Sequence, residues 1–199
     1  MSLRDRKQRH DAFFHRARRE GFAARAVYKL EEIDQALGLL RPGGRVLDLG
    51  CRPGSWLQYA RGRVGTHGAV VGIDRQPLPQ PVAGTRVLVG DLFATSDAEL
   101  LGELAAFDVV LSDMAPDTTG IRSADQARSA GLVEEALGRA ERLLAPAGSF
   151  VAKIFQGPDV TPLRKRMGER FSVVKLWKPE GSRAASPELY LVGKGFGPR

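Results

Sequence analysis

Asp48, Asp74, Asp91, Asp113 and Lys153 share one property: each closes a short apolar run. The runs are Val46-Leu47, Val70-Val71-Gly72-Ile73, Val87-Leu88-Val89-Gly90, Val109-Val110-Leu111-Ser112 and Phe150-Val151-Ala152. Continuous β-branched runs of this length read as strands buried on both faces, as in parallel sheets. Ligands of open α/β sheets bind outside the carboxyl ends of the strands. Four carboxylates and an amine are therefore expected along one edge, where they could bind polar groups and move a proton.

The first of these acids leads into Asp48-Leu49-Gly50-Cys51-Arg52-Pro53-Gly54-Ser55-Trp56. Gly50 and Gly54 let the backbone bend sharply and come close to a ligand. Their spacing is not that of dinucleotide binders, and no lysine follows as in a phosphate-binding loop. A nucleoside without a pyrophosphate fits better. Asp74 would accept from both ribose hydroxyls, and Asp91 from the exocyclic amine of adenine. These features describe a site for S-adenosylmethionine.

Periodicity supplies the elements that must hold these groups. Residues 1–25 read as a basic arm and 26–199 as the main domain. Apolar residues at Val27, Leu30, Ile33, Leu37 and Leu40 keep helical spacing over 26–40. Pro42-Gly43-Gly44 marks a turn into the first strand. Further helices are expected from Ser55, over 97–104 and over 124–144, and one opened by Thr161-Pro162 as cap and first residue. Ala145–Gly148 reads as a turn, and strands six and seven fall near 172–176 and 189–192. Strands alternating with helices imply an α/β fold with a doubly wound sheet.

The chain has 199 residues, 43% hydrophobic and 27% charged, enough for one domain with a real core. Its single cysteine, Cys51, excludes a disulfide framework and suits a reducing cytoplasm. No apolar run approaches a membrane span, so no membrane partner is expected. His10, His15 and His67 lack metal-ligand spacing, and no metal is expected. The formal charge is +7, and nearly all of the excess lies in residues 1–29. There Arg4, Arg6, Lys7, Arg9, Arg16, Arg18, Arg19, Arg25 and Lys29 face only Asp5, Asp11 and Glu20. Such an arm, with Phe13 and Phe14 interleaved, fits a nucleic-acid backbone.

Four strings then carry a resemblance over nearly the whole chain: Asp48–Trp56, Ser112-Asp-Met-Ala-Pro116, Lys153-Ile-Phe-Gln-Gly157 and Ser182-Arg-Ala-Ala-Ser-Pro-Glu-Leu-Tyr190. The chain resembles the FtsJ (RrmJ-type) ribosomal RNA large-subunit 2′-O-ribose methyltransferases. The resemblance implies a Rossmann-like methyltransferase fold with a mixed seven-stranded sheet flanked by helices. It implies a catalytic quartet at Lys29, Asp113, Lys153 and Glu188. It also implies S-adenosylmethionine contacts at Gly50, Gly54, Trp56, Asp74, Asp91 and Asp113. The acceptor it implies is a uridine of bacterial large-subunit ribosomal RNA, methylated in the cytoplasm by a monomer within the large subunit. The glycine loop departs from the family's usual Ala-Ala-Pro-Gly-Gly at Cys51-Arg52 and Ser55, and Arg52 must point outward to spare a cationic cofactor.

Lys153 is the expected proton acceptor. A free lysine titrates near 10.4, so a neutral amine at pH 7 costs about 4–5 kcal/mol without help. If charged, it would instead orient the ribose and steady the developing alkoxide. Two other acceptor or role assignments stay open: a transfer RNA 2′-O-methyltransferase, and an RNA-binding assembly factor without catalysis.

Overall fold

β-branched and leucine-rich runs do form the strands, and their alternation sorts side chains to two faces. In the computed structural model, which describes residues 12–180 and 186–198, helix α1 covers 12–19. There follow α2 (Val27–Leu37), β1 (Arg45–Leu49), α3 (Ser55–Val64), β2 (Ala69–Asp74) and β3 (Arg86–Val89). Next come α4 (Asp97–Leu101), β4 (Phe107–Ser112), α5 (Arg122–Leu143) and β5 (Leu144–Phe155). The chain closes with α6 (Val160–Gly168), β6 (Phe171–Trp177) and β7 (Glu188–Phe196). The seven strands form one mixed sheet in the order β3-β2-β1-β4-β5-β7-β6, with β7 antiparallel to both neighbours. The α/β architecture and the mixed sheet are those expected.

On one face Leu47, Leu49, Val110 and Phe150 pack with α5 and α6. On the other Val46, Val109, Leu111 and Tyr190 pack with Leu30 and Ile33 of α2 and Leu57 of α3. Each such fully buried side chain contributes about 1.5–3 kcal/mol of transfer free energy. The core therefore lies in two layers around a sheet whose carboxyl edge stays open.

Several boundaries differ from the sequence reading: α4 ends at Leu101, short of the expected 104, β7 runs on to Phe196, and three others have a visible cause. Helix α2 stops at Leu37, and Gly38 takes a left-handed φ of 59°. Asp34, buried on α2, accepts the backbone N–H of Leu39 at 2.9 Å and of Leu40 at 2.8 Å, turning the chain while both leucines stay buried. Strand β5 begins at Leu144, because Leu144 already pairs with Phe107 before the register shifts ahead of Val109–Ser149. Helix α6 starts at Val160, so Thr161 and Pro162 sit inside its first turn, where a missing N–H costs nothing.

Residues 12–25 pack rather than dangle. Ala17 joins Val27 and Tyr28 in a small cluster with Phe13 and Phe22, and the Arg16 guanidinium lies 4.2 Å from the Tyr28 ring centroid. Tyr28 is thus a core residue. Residues 1–11, with His10 and most of the basic arm, lie outside the described residues, as do 181–185 of the fourth motif string. Among the described residues, no helix is long and apolar enough to cross a membrane.

Candidate active site

The open edge is shaped first by Gly50. Its φ of 75° is left-handed, and a Cβ there would collide with the Met114 side chain. Both effects act together, so Gly50→Ala is expected to cost about 2–4 kcal/mol of unfolding free energy. Urea denaturation measures it, and a loss below about 1 kcal/mol would show that Met114 simply swings aside.

Above Gly50 lies a cavity of about 610 Å³ walled by Asp74, Asp91, Phe93, Asp113 and Met114. That volume suits a small organic ligand. Backbone donors hold both acids of the far wall. Asp74 accepts the Arg52 N–H at 3.1 Å and the Gln76 N–H at 3.0 Å, and Asp91 accepts the Phe93 N–H at 3.0 Å. Arg52 is exposed at the rim.

Gly54, with φ 109°, caps α3, whose first turn receives no side-chain hydrogen bond at its N-terminus. The free N–H groups of such a turn favour an anionic group. Trp56 points elsewhere. Its buried indole N–H donates to the Ala26 carbonyl at 2.9 Å, and its ring centroid lies 6.0 Å from that of Tyr190. Only its backbone N–H belongs to that first turn.

Asp48 is wholly buried under this loop. Burial pushes its carboxyl far above the usual carboxylate range, and the charges of Asp113 and Asp74 push the same way.

The fold joins the four quartet positions. Lys153 Nζ donates to the Asp113 carbonyl at 2.6 Å and lies 3.1 Å from its Oδ1. Lys29 Nζ lies 2.8 Å from Glu188 Oε2. Burial pushes the Glu188 carboxyl up, but Lys29, with help from Lys153 and Ser186, outweighs it and holds the group below its ordinary value.

Tyr190 sits between the two pairs. Its hydroxyl donates to Asp113 Oδ1 at 2.6 Å, and the Lys29 ammonium lies 5.8 Å from its ring centroid. Tyr190 is fully buried, and its hydroxyl link to Asp113 was not legible in the sequence. One signal was available: Tyr190 stands two residues after Glu188, hence on the same strand face, and it pairs with Lys153 across the ladder.

Two further contacts brace the acceptor side. Glu32, one turn after Lys29, accepts the Trp177 indole N–H and the Glu180 backbone N–H, each at 2.9 Å. Lys178 donates to the Ser186 and Glu188 carbonyls at 2.5 and 2.9 Å. Glu180 thus engages by its backbone, while Glu188 is the carboxylate facing the lysines. Among the described residues, no three His, Cys, Asp or Glu side chains gather as a metal site.

The model of the FtsJ-like methyltransferase family matches residues 22–196 of this chain. The chain belongs to the FtsJ-like methyltransferase family. It is an enzyme of the methyltransferase class. It is 50% identical over 188 residues to the ribosomal RNA large subunit methyltransferase E of Syntrophobacter fumaroxidans, covering 92% of this chain and 94% of that protein. The protein of the same name from Nitratidesulfovibrio vulgaris is 47% identical over 193 residues, covering 96% and 95%. A solved ribosomal RNA methyltransferase structure from Plasmodium falciparum superposes with a TM-score of 0.79 at 27% identity, covering 89% of this chain and all of that one. A methyltransferase of the FtsJ-like family thus carries the cavity and the joined lysine–carboxylate pairs side by side.

Proposed function

We propose that this methyltransferase transfers the methyl group of S-adenosylmethionine to the 2′-hydroxyl of a uridine in large-subunit ribosomal RNA. In this reading it acts as a cytoplasmic monomer on the large ribosomal subunit. The observation that carries the proposal is Asp113, which walls the cavity and at the same time holds Lys153 and Tyr190. Donor and acceptor sites therefore meet at one residue. The large-subunit RNA comes from the names of the relatives, which cover nearly the whole chain.

The residues present fit the donor. Asp74 and Asp91 stand as anchored acceptors for ribose hydroxyls and an adenine amine, and the uncapped turn of α3 suits an amino-acid carboxylate. Bound there, the donor supplies a methyl carbon already activated by its sulfonium, so the protein's task is alignment and proton removal.

Lys153 Nζ donates to the Asp113 carbonyl and lies 3.1 Å from its Oδ1, which fixes the amine beside the cavity where the acceptor oxygen would sit. Lys153 would take the 2′-hydroxyl proton, and the donor, when bound, would supply the methyl group and the sulfide leaving group. Lys29 and Glu188 hold the acceptor ribose. The basic residues Arg16, Arg18 and Arg19 lie on α1 and its C-terminal end, and with the arm before it they meet RNA phosphates.

The test is transfer of tritiated methyl from S-adenosylmethionine to large subunits from cells lacking the enzyme, followed by digestion to nucleosides. Label in 2′-O-methyluridine is expected. Label appearing only when transfer RNA is supplied would move the acceptor, and label on a base would overturn the 2′-hydroxyl assignment.

A further inference from the structure

Among the described residues, Asp48 is the only one with buried side-chain oxygens that lack a hydrogen-bond partner, and both of its oxygens do. It sits on β1 in the middle of the sheet, opposite Gly72 of β2 and Leu111 of β4. Asp74 and Asp113, which end those two flanking strands, both wall the cavity. Asp48 shares a strand face with Val46, which packs with Trp56, Leu111 and Tyr190 beneath the glycine loop.

The charged and titratable groups around Asp48 do not satisfy it. Asp74 and Asp113 repel a negative charge there, and the Cys51 thiol is pushed upward first by burial and then by Asp48 and Asp74. The Lys153 ammonium and the Tyr190 hydroxyl are both committed to Asp113. A carboxylate buried without a partner is far costlier than a neutral acid. Asp48 does not line the cavity itself, but Gly50, two residues on, and Asp74 and Asp113 do, and a cation placed there reverses that balance.

We propose that Asp48 holds a proton in the cofactor-free enzyme and releases it to solvent when a cationic cofactor enters, becoming a buried counter-charge that selects for positive ligands. The inference rests on the cofactor reading above. On binding, the O–H bond of the Asp48 carboxyl breaks, the proton passes to buffer, and the carboxylate is left as a counter-charge behind the cavity wall. Two groups of S-adenosylmethionine carry positive charge, the sulfonium and the amino-acid ammonium. Its sulfide product, S-adenosylhomocysteine, keeps only the ammonium.

Isothermal titration calorimetry tests this directly. S-adenosylmethionine is titrated at one pH into the wild-type enzyme in phosphate and in Tris, whose ionisation enthalpies differ. The expected result is a buffer-dependent heat corresponding to proton release approaching one per ligand. Affinity should rise with pH, by up to about tenfold per unit where release is complete. Asp48→Asn should abolish the buffer dependence, and Cys51→Ala should leave it intact.

S-adenosylhomocysteine in the same experiment separates the two cations. Release with both ligands assigns the ammonium, and release with S-adenosylmethionine alone assigns the sulfonium. No release in the wild type, or equal release in Asp48→Asn, overturns the proposal. If the wild type binds neither ligand, the cofactor reading fails instead. Should Asp48→Asn not fold, Cys51→Ala and Lys153→Ala are titrated instead: release that persists in both supports Asp48, and loss of release in either assigns the proton to that group and overturns the proposal.

Discussion

Replacing Lys153 with alanine is expected to slow methyl transfer by about 10²–10⁴-fold, the usual contribution of a positioned acid or base. Fold and donor binding should survive. Asp113 keeps the Tyr190 hydroxyl at 2.6 Å, and the cavity walls contributed by Asp74 and Asp91 lie on other strands. Single-turnover rates with saturating RNA measure the chemical step, and calorimetry measures donor affinity. A rate within threefold of the wild type would remove Lys153 from the reaction. If the lysine is the base, the alanine variant also loses the part of the pH–rate profile that depends on emptying Nζ of its proton.

A second large effect follows from the Lys29–Glu188 pair. Glu188 is partly buried, and its carboxyl is kept low because Lys29 lies 2.8 Å away. Lys29→Met removes the main opposing charge and leaves burial to dominate. The Glu188 carboxyl then rises, because burial is no longer opposed by the close ammonium. Protonation sets in at higher pH, so the acid limb of kcat/KM for RNA should move to higher pH.

The linkage sign agrees. In the wild type the depressed carboxyl contributes stability above the unfolded value near 4.3, and this is lost as pH falls through its lower folded value. In the variant that acid-side contribution vanishes. An acid limb unchanged in Lys29→Met would show that Glu188 does not govern substrate handling.

Much of this was legible from local pattern. Asp48, Asp74 and Asp113 could be placed because each closes a buried run, and a parallel sheet brings such ends to one edge. The run before Asp91 was expected to be buried as well, but β3 is the edge strand and Val89 is exposed, since nothing packs beyond it in the sheet. Lys153 is conspicuous as an ion in an apolar strand. Lys29 is not, because its neighbours Glu31 and Glu32 make the helix face look solvated. Its partner lies 159 residues away, and only the family pattern linked them.

Trp56 misleads in another way. Its position in the loop suggests a ligand contact, yet packing against Tyr190 and the bond to Ala26 draw the ring into the core. The end of α2 was hidden for a similar reason. Leu40 continues the apolar spacing, but it is buried by a turn that Asp34 makes and not by helix. Where tertiary partners decide, local periodicity stops informing.

The placement of β7 has a consequence for how the enzyme is made. Among the described residues it is the last strand in sequence, yet it occupies an interior slot between β5 and β6. While the ribosome is still producing it, β5 has an unpaired edge and β6 has nowhere to dock. That is a window in which another chain's strand could pair in its place. Glu188 and Tyr190 arrive on this same strand, so a nascent chain short of it owns a formed glycine loop but no assembled reaction centre. The two lysine–carboxylate pairs are thus completed in one late step, when β7 closes the sheet.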